Sequence, residues 1–211
     1  MKGLVVKEFI LLYKNFMFQI LAFLLIGIIG VLSDRVSFIL YIPLIMSILS
    51  VSGMALDETS KWTKYSMSLP ADKKDIVTSK YIVSLFCSLI STVLVMICII
   101  ANMIIYKDFS LDRILYITFG AFVVSSVFPS VLFPFYFKFG ASKGRIIYLL
   151  TIGLICGSVS VIITSGSDIL DILVKLTSNT TLLISLTIAA LIVLTIISWG
   201  ISSAVYRKKE L

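Results

Sequence analysis

The chain predicts an all-helical membrane protein, and three observations carry that prediction. Hydrophobic residues make up 59% of the 211 and charged residues 14%, with a mean hydropathy of +1.12; soluble domains run nearer about a quarter charged. Apolar runs long enough to cross ~30 Å of hydrocarbon recur along the chain. The basic residues, which give a net charge of +7, gather between alternate runs. Basic flanks of this kind orient spans, so the charge speaks for a bilayer rather than for nucleic acid. One transmembrane domain, 1–211, accounts for the whole length.

The first 15 residues, MKGLVVKEFILLYKN, place Val5, Phe9, Leu12 and then Phe16 at helical spacing, with Lys7 and Lys14 on another face. This pattern predicts an amphipathic interfacial helix over 1–15, lying at the inner membrane surface. The competing reading is a plain N-terminal extension of the first span. That span is not expected to be a cleaved signal, because no small-x-small site closes it.

Six runs follow as transmembrane spans: 16–32, 36–56, 81–106, 114–137, 146–164 and 182–205. With the N-terminus cytoplasmic, fourteen of the 18 Lys and Arg fall in inside segments and four outside. Both termini are therefore expected in the cytoplasm, as is the charged stretch 57–81. The fourth span carries Ser126, Pro129, Ser130 and Pro134. Each proline frees a carbonyl and predicts a kink, and the serines offer to re-satisfy the freed groups. Such a span either lines a pathway or holds a packing kink. In the fifth, Gly153 and Gly157 form a GxxxG that lets another helix approach closely. The outer loops are short, and the longest, 165–181, has spacing suited to a short surface or re-entrant helix.

Several chemistries are excluded. There is no His in the chain, which removes Ser–His and Glu–His intramembrane proteolysis and leaves no metal-ligand cluster. No GxxxxGK[ST] loop exists to cradle nucleotide phosphates, and no Asp-Gly pair of a head-group transferase occurs. No charged residue lies centrally in a span, which argues against an ion-coupled carrier or a charged pore. Cys87, Cys98 and Cys156 fall in apolar runs without CxxC spacing and read as packing residues. Asn102 is expected to hydrogen-bond within the bundle or near the outer interface. The chain reads as no enzyme, with no catalytic residue and no metal.

The stretch DETSKWTKYSMSLPADKKDIVTSKY, 57–81, is the one long charged segment. Continued as a helix, it pairs Asp57 and Glu58 with Lys61 and sets Trp62, Tyr65 and Leu69 on one face, flanked by Lys61 and Lys64. Ser68 then caps a second helix with Pro70 in its first turn, and Asp72 and Asp75 suit its positive end. Physics leaves two readings open. One is a solvated loop anchored by interfacial aromatics; the other is a docking surface for a cytoplasmic partner.

The same run resembles the region between the second and third spans of the small permease subunits of type-2 ABC exporters. The resemblance lies in Asp57-Glu58, Lys61-Trp62, Tyr65, Ser68-Leu69-Pro70, Lys73-Lys74-Asp75 and Ser79-Lys80-Tyr81. The rest of the chain is similar in length, six spans, cytoplasmic termini and N-terminal helix. Relatives of this branch export amphipathic peptide toxins, bacteriocins or drugs, mostly from Gram-positive bacteria. The resemblance implies a coupling helix within 57–80, fitting a groove on a separate ATPase subunit that binds ATP-Mg. It implies Asp57, Glu58, Lys61, Trp62, Lys64, Tyr65, Leu69 and Pro70 as that interface. It also implies a second permease chain, identical or not, in a bacterial plasma membrane, and alternating access. No cofactor is expected in this chain. The apolar spans suggest hydrophobic or amphipathic cargo. Two other readings stand beside this one, a six-span substrate-binding subunit of a vitamin-type importer and a non-transporting immunity or regulatory protein.

Overall fold

The computed structural model describes residues 2–32, 36–39, 41–60, 62, 72–107, 109–164 and 180–208; for some helical residues, including all of 141–164, it describes the backbone alone. Among the described residues six helices follow in order: α1 Lys2–Leu32, α2 Val36–Ile39, α3 Tyr41–Thr59, α4 Lys73–Tyr106, α5 Leu111–Thr164 and α6 Thr180–Lys208. Among the described residues four stretches are long and apolar enough to span a membrane: Tyr41–Thr59, Lys73–Tyr106, Ile114–Gly140 and Ile184–Lys208.

α1 differs from expectation. It is one unbroken helix of 31 residues, about 46 Å long at 1.5 Å per residue, so the interfacial helix at 1–15 and the first span are a single element. The reason lies in its faces. Val6, Ile10, Tyr13, Met17, Leu21, Leu24 and Ile28 all point outward, at helical spacing, and form a continuous apolar stripe. Glu8 and Leu12 are turned inward and buried. The apolar stripe does not change register at residue 16, so nothing bends the helix there.

α3 starts two residues before Pro43, where a missing N–H costs no helical bond. The close approach of α1 to α2 is set at Gly30, where a Cβ would lie 2.9 Å from Ile39 Cγ1. α4 begins at Lys73 with Asp72 in the N-cap position, its backbone extended at φ −66°, ψ 144°. Asp75 and Ile76 donate their amides to the Asp72 carbonyl at 2.8 and 3.4 Å. The helix therefore starts four residues later than a Ser68 cap would place it. α4 ends at Tyr106, the end expected from hydropathy, with Lys107 left-handed at φ 55° as its C-cap.

The backbone of α5 keeps helical dihedrals through Pro129 and Pro134 and departs from them at Gly140, with φ 78° and ψ 175°. The break in helical dihedrals thus sits at Gly140. That conformation favours glycine because a Cβ clashes there. Pro134 nevertheless leaves its mark. It has no N–H for the carbonyl four residues back, and that Ser130 carbonyl accepts a hydrogen bond from Ser198 Oγ of α6 instead. The serines of the fourth span were expected to do this; the donor comes from another helix. Ser130 Oγ itself donates to the Ser126 carbonyl at 2.8 Å.

Among the described residues three apolar clusters fill the bundle. Val51, Val77, Tyr81, Phe133, Phe137 and Tyr206 join α3, α4, α5 and α6 at one end, with Tyr81 edge-on to Phe133 at 4.8 Å and Phe137 edge-on to Tyr206 at 5.4 Å. Ile39, Ile42, Val95, Ile99, Met103 and Ala121 fill the other. Leu12, Leu49, Val83 and Cys87 pack α1 against α3 and α4 between them. Cys87 and Cys98 are free thiols on packed surfaces, as expected; the side chains of Cys156, Gly153 and Gly157 lie outside the described residues.

Candidate functional site

The chain direction brings the last turn of α3, the first turns of α4 and the N-terminal turns of α1 to one end of the bundle. Four charged side chains meet there. Lys80 of α4 donates to Glu8 Oε1 at 3.0 Å and to Asp57 Oδ2. Lys7 of α1 donates to Glu8 Oε1 at 3.0 Å and to Asp57 Oδ1. The side chains of Lys80, Glu8 and Asp57 are 7%, 8% and 5% exposed, and that of Lys7 is 22% exposed. Two cations and two carboxylates cancel, which is the condition for burying ions at tolerable cost. Each carboxylate takes donors from both lysines, so no member is satisfied by one neighbour.

This cluster holds the base of the 57–81 stretch. Asp57 lies within it. Glu58, the next residue, is exposed but faces the bend in α5: a Cβ on Gly140 would stand 2.9 Å from Glu58 Oε1. Trp62 sits beside Lys7, whose Nζ is 4.2 Å from the ring centroid, within cation–π range. The segment is thus gripped by α1, by α4 and by the α5 bend. The Asp57 carboxylate is turned inward to the lysines, where the sequence pattern had paired it with Lys61. Lys61, Lys64, Tyr65, Leu69 and Pro70 lie outside the described residues.

A second polar network lies just below. Tyr81 Oη is 2.6 Å from Ser198 Oγ and 2.9 Å from Ser202 Oγ, and Ser198 Oγ donates its own hydrogen bond to the Ser130 carbonyl. Ser130 and Pro134 open on a cavity of about 640 Å³ between α5 and α6, shared with Lys138, Val193, Ile197 and Ser198. Ser126 and Pro129, also expected on a pathway, are buried in the bundle, and the Ser126 hydroxyl has no hydrogen-bond partner among the described residues.

The far end carries different chemistry. Asn102 Nδ2 donates to the Val31 carbonyl at 3.1 Å and Tyr106 Oη to the Leu32 carbonyl at 2.7 Å. These are terminal carbonyls of α1, left without helical partners, so Asn102 does hydrogen-bond within the bundle.

Sequence reasoning missed Lys7 and Glu8 as members of a site, having left Lys7 on a polar face and Glu8 unassigned. One signal was present. Glu8 is the sole acidic residue before position 34, and a lone carboxylate in an apolar helix needs a cation.

A family model described as "ABC-2 family transporter protein" matches residues 3–207. The chain belongs to this ABC-2 transporter family. It is therefore an integral membrane component of an ABC transporter, and the family implies an ABC ATPase partner. No curated protein and no solved structure gave a significant match.

Proposed function

We propose that this ABC-2 protein is the permease subunit of an ATP-driven exporter, moving hydrophobic or amphipathic cargo, peptide or drug-like, by alternating access. The observation that carries the reading is the family match across 3–207. The family membership favours it over a vitamin-type substrate-binding subunit or a non-transporting immunity protein. ATP-Mg is bound and hydrolysed by a separate cytoplasmic ATPase, and this chain performs no chemistry of its own. The segment 57–80 is the coupling element, with Glu58 and Trp62 at its base.

Six spans fit the helix order. The first part of α5 arrives at the charged end, where Gly140 meets Glu58. α6 also finishes there, where the Arg207 carbonyl accepts from Lys73 Nζ at 3.5 Å. The helical backbone of 141–164 supplies the return crossing. With α1 this makes six, and the Lys/Arg bias puts the charged end and both termini in the cytoplasm of a bacterial plasma membrane. A second permease chain, identical or homologous, completes the pathway.

The test is co-purification with the ATP-binding subunit. Glu58→Ala and Trp62→Ala, both inserted normally, should lose at least part of the retained ATPase and of cargo export. If the wild-type chain retains no nucleotide-binding subunit in detergent, the transporter reading fails.

A further inference from the structure

The two lysines of the buried cluster are not equivalent. Both contact Glu8 and Asp57, but Lys80 is enclosed by the bundle, while Lys7 lies at its edge with its ammonium 4.2 Å from the Trp62 centroid. One group on α1 therefore touches the chain on both sides of the α3 terminus, at Asp57 and at Trp62. An uninterrupted helix would separate those two residues by about 140° around its axis, out of reach of a single ammonium. Among the described residues α3 ends at Thr59, and beyond that end the Trp62 ring stands over the Lys7 ammonium. The charge balance explains why the cluster is tolerated. It does not explain why its exposed member faces an aromatic ring rather than water.

We propose that Lys7 is a positioning residue that fixes Trp62 against α1, so that force applied to the 57–80 segment passes into α1 as well as α3. This rests on the docking reading above. Lys80 balances the carboxylates; Lys7 orients the segment. A cation is required for the second task, and Arg serves as well as Lys because its guanidinium also binds an aromatic face.

The experiment uses the full chain in lipid nanodiscs with Trp199→Phe, which leaves Trp62 as the single tryptophan. Acrylamide quenching then reports how firmly the ring is held. Lys7→Met alone leaves excess negative charge and risks misfolding, so the deciding variant is Lys7→Met/Asp57→Asn, which removes one cation and one anion together. Its quenching constant should rise about two- to fivefold, the population change that a cation–π contact supports, with helical content retained. Lys7→Arg should keep the parent value. The double variant should also retain less ATP-binding subunit on co-purification. Parent-level quenching in the folded double variant overturns the proposal, because a purely structural cluster is restored by charge balance. Raised quenching with undiminished ATPase retention also overturns it, and Trp62→Ala then separates the causes. If Trp62→Ala loses the ATPase, docking stands and only the role of Lys7 falls; if it does not, the docking reading falls with it.

Discussion

The two ends of the bundle are closed by opposite means. At one end α1, α3 and α4 are joined by Lys7, Glu8, Asp57 and Lys80, four ions that satisfy one another. At the other, α4 closes α1 with two neutral bonds from Asn102 and Tyr106 to single carbonyls. The neutral bonds are independent, and losing one leaves a carbonyl with little charge to solvate. The ions are interdependent, and losing one leaves a buried net charge. The charged end should therefore behave as a unit and the neutral end as separate parts.

The largest test of the contrast is Lys80→Met. It leaves Glu8 and Asp57 with one partly exposed cation, and we expect a loss of about 3–5 kcal/mol, read as a lowered unfolding midpoint in detergent. Adding Asp57→Asn should recover much of it. If the two losses simply add, the cluster is not a unit. Next is Gly140→Ala, where the positive φ and the proximity of Glu58 oppose a side chain. A cost of about 1–3 kcal/mol is expected. Glu58→Ala in the same chain should relieve the contact but not the backbone strain, so partial recovery on thermal unfolding is the expected signature. Tyr81→Phe removes the hydroxyl shared by Ser198 and Ser202 and should cost about 1 kcal/mol, measured the same way. The smallest effect belongs to the neutral end. Asn102→Ala should cost about 0.6 kcal/mol, the usual size for a hydrogen bond between membrane helices. It should add independently to Tyr106→Phe in a double-mutant cycle. Strong coupling there would erase the difference between the ends.

Much of this was legible from the residues. The helical class, the long apolar helices and the Asn102 bond follow from hydropathy and from the need to satisfy polar groups in lipid. The α4 start was misplaced because Ser68-Leu69-Pro70 and Asp72 both carry cap chemistry, and spacing does not rank them. The prolines drew attention from Gly140, since sequence shows a missing N–H but not a positive φ. Asp57 read as the helical partner of Lys61, its nearest cation in sequence, whereas its actual partners stand 50 and 23 residues away.

The sequence by itself determined that the chain is helical and apolar enough for a membrane, and that its charges lie at helix ends; local periodicity and transfer energy suffice for that. Only the tertiary structure decided which of those charges face inward. Burial of an ion depends on a compensating ion, and here that partner comes from another helix, brought within 3 Å by the packing of α1, α3 and α4.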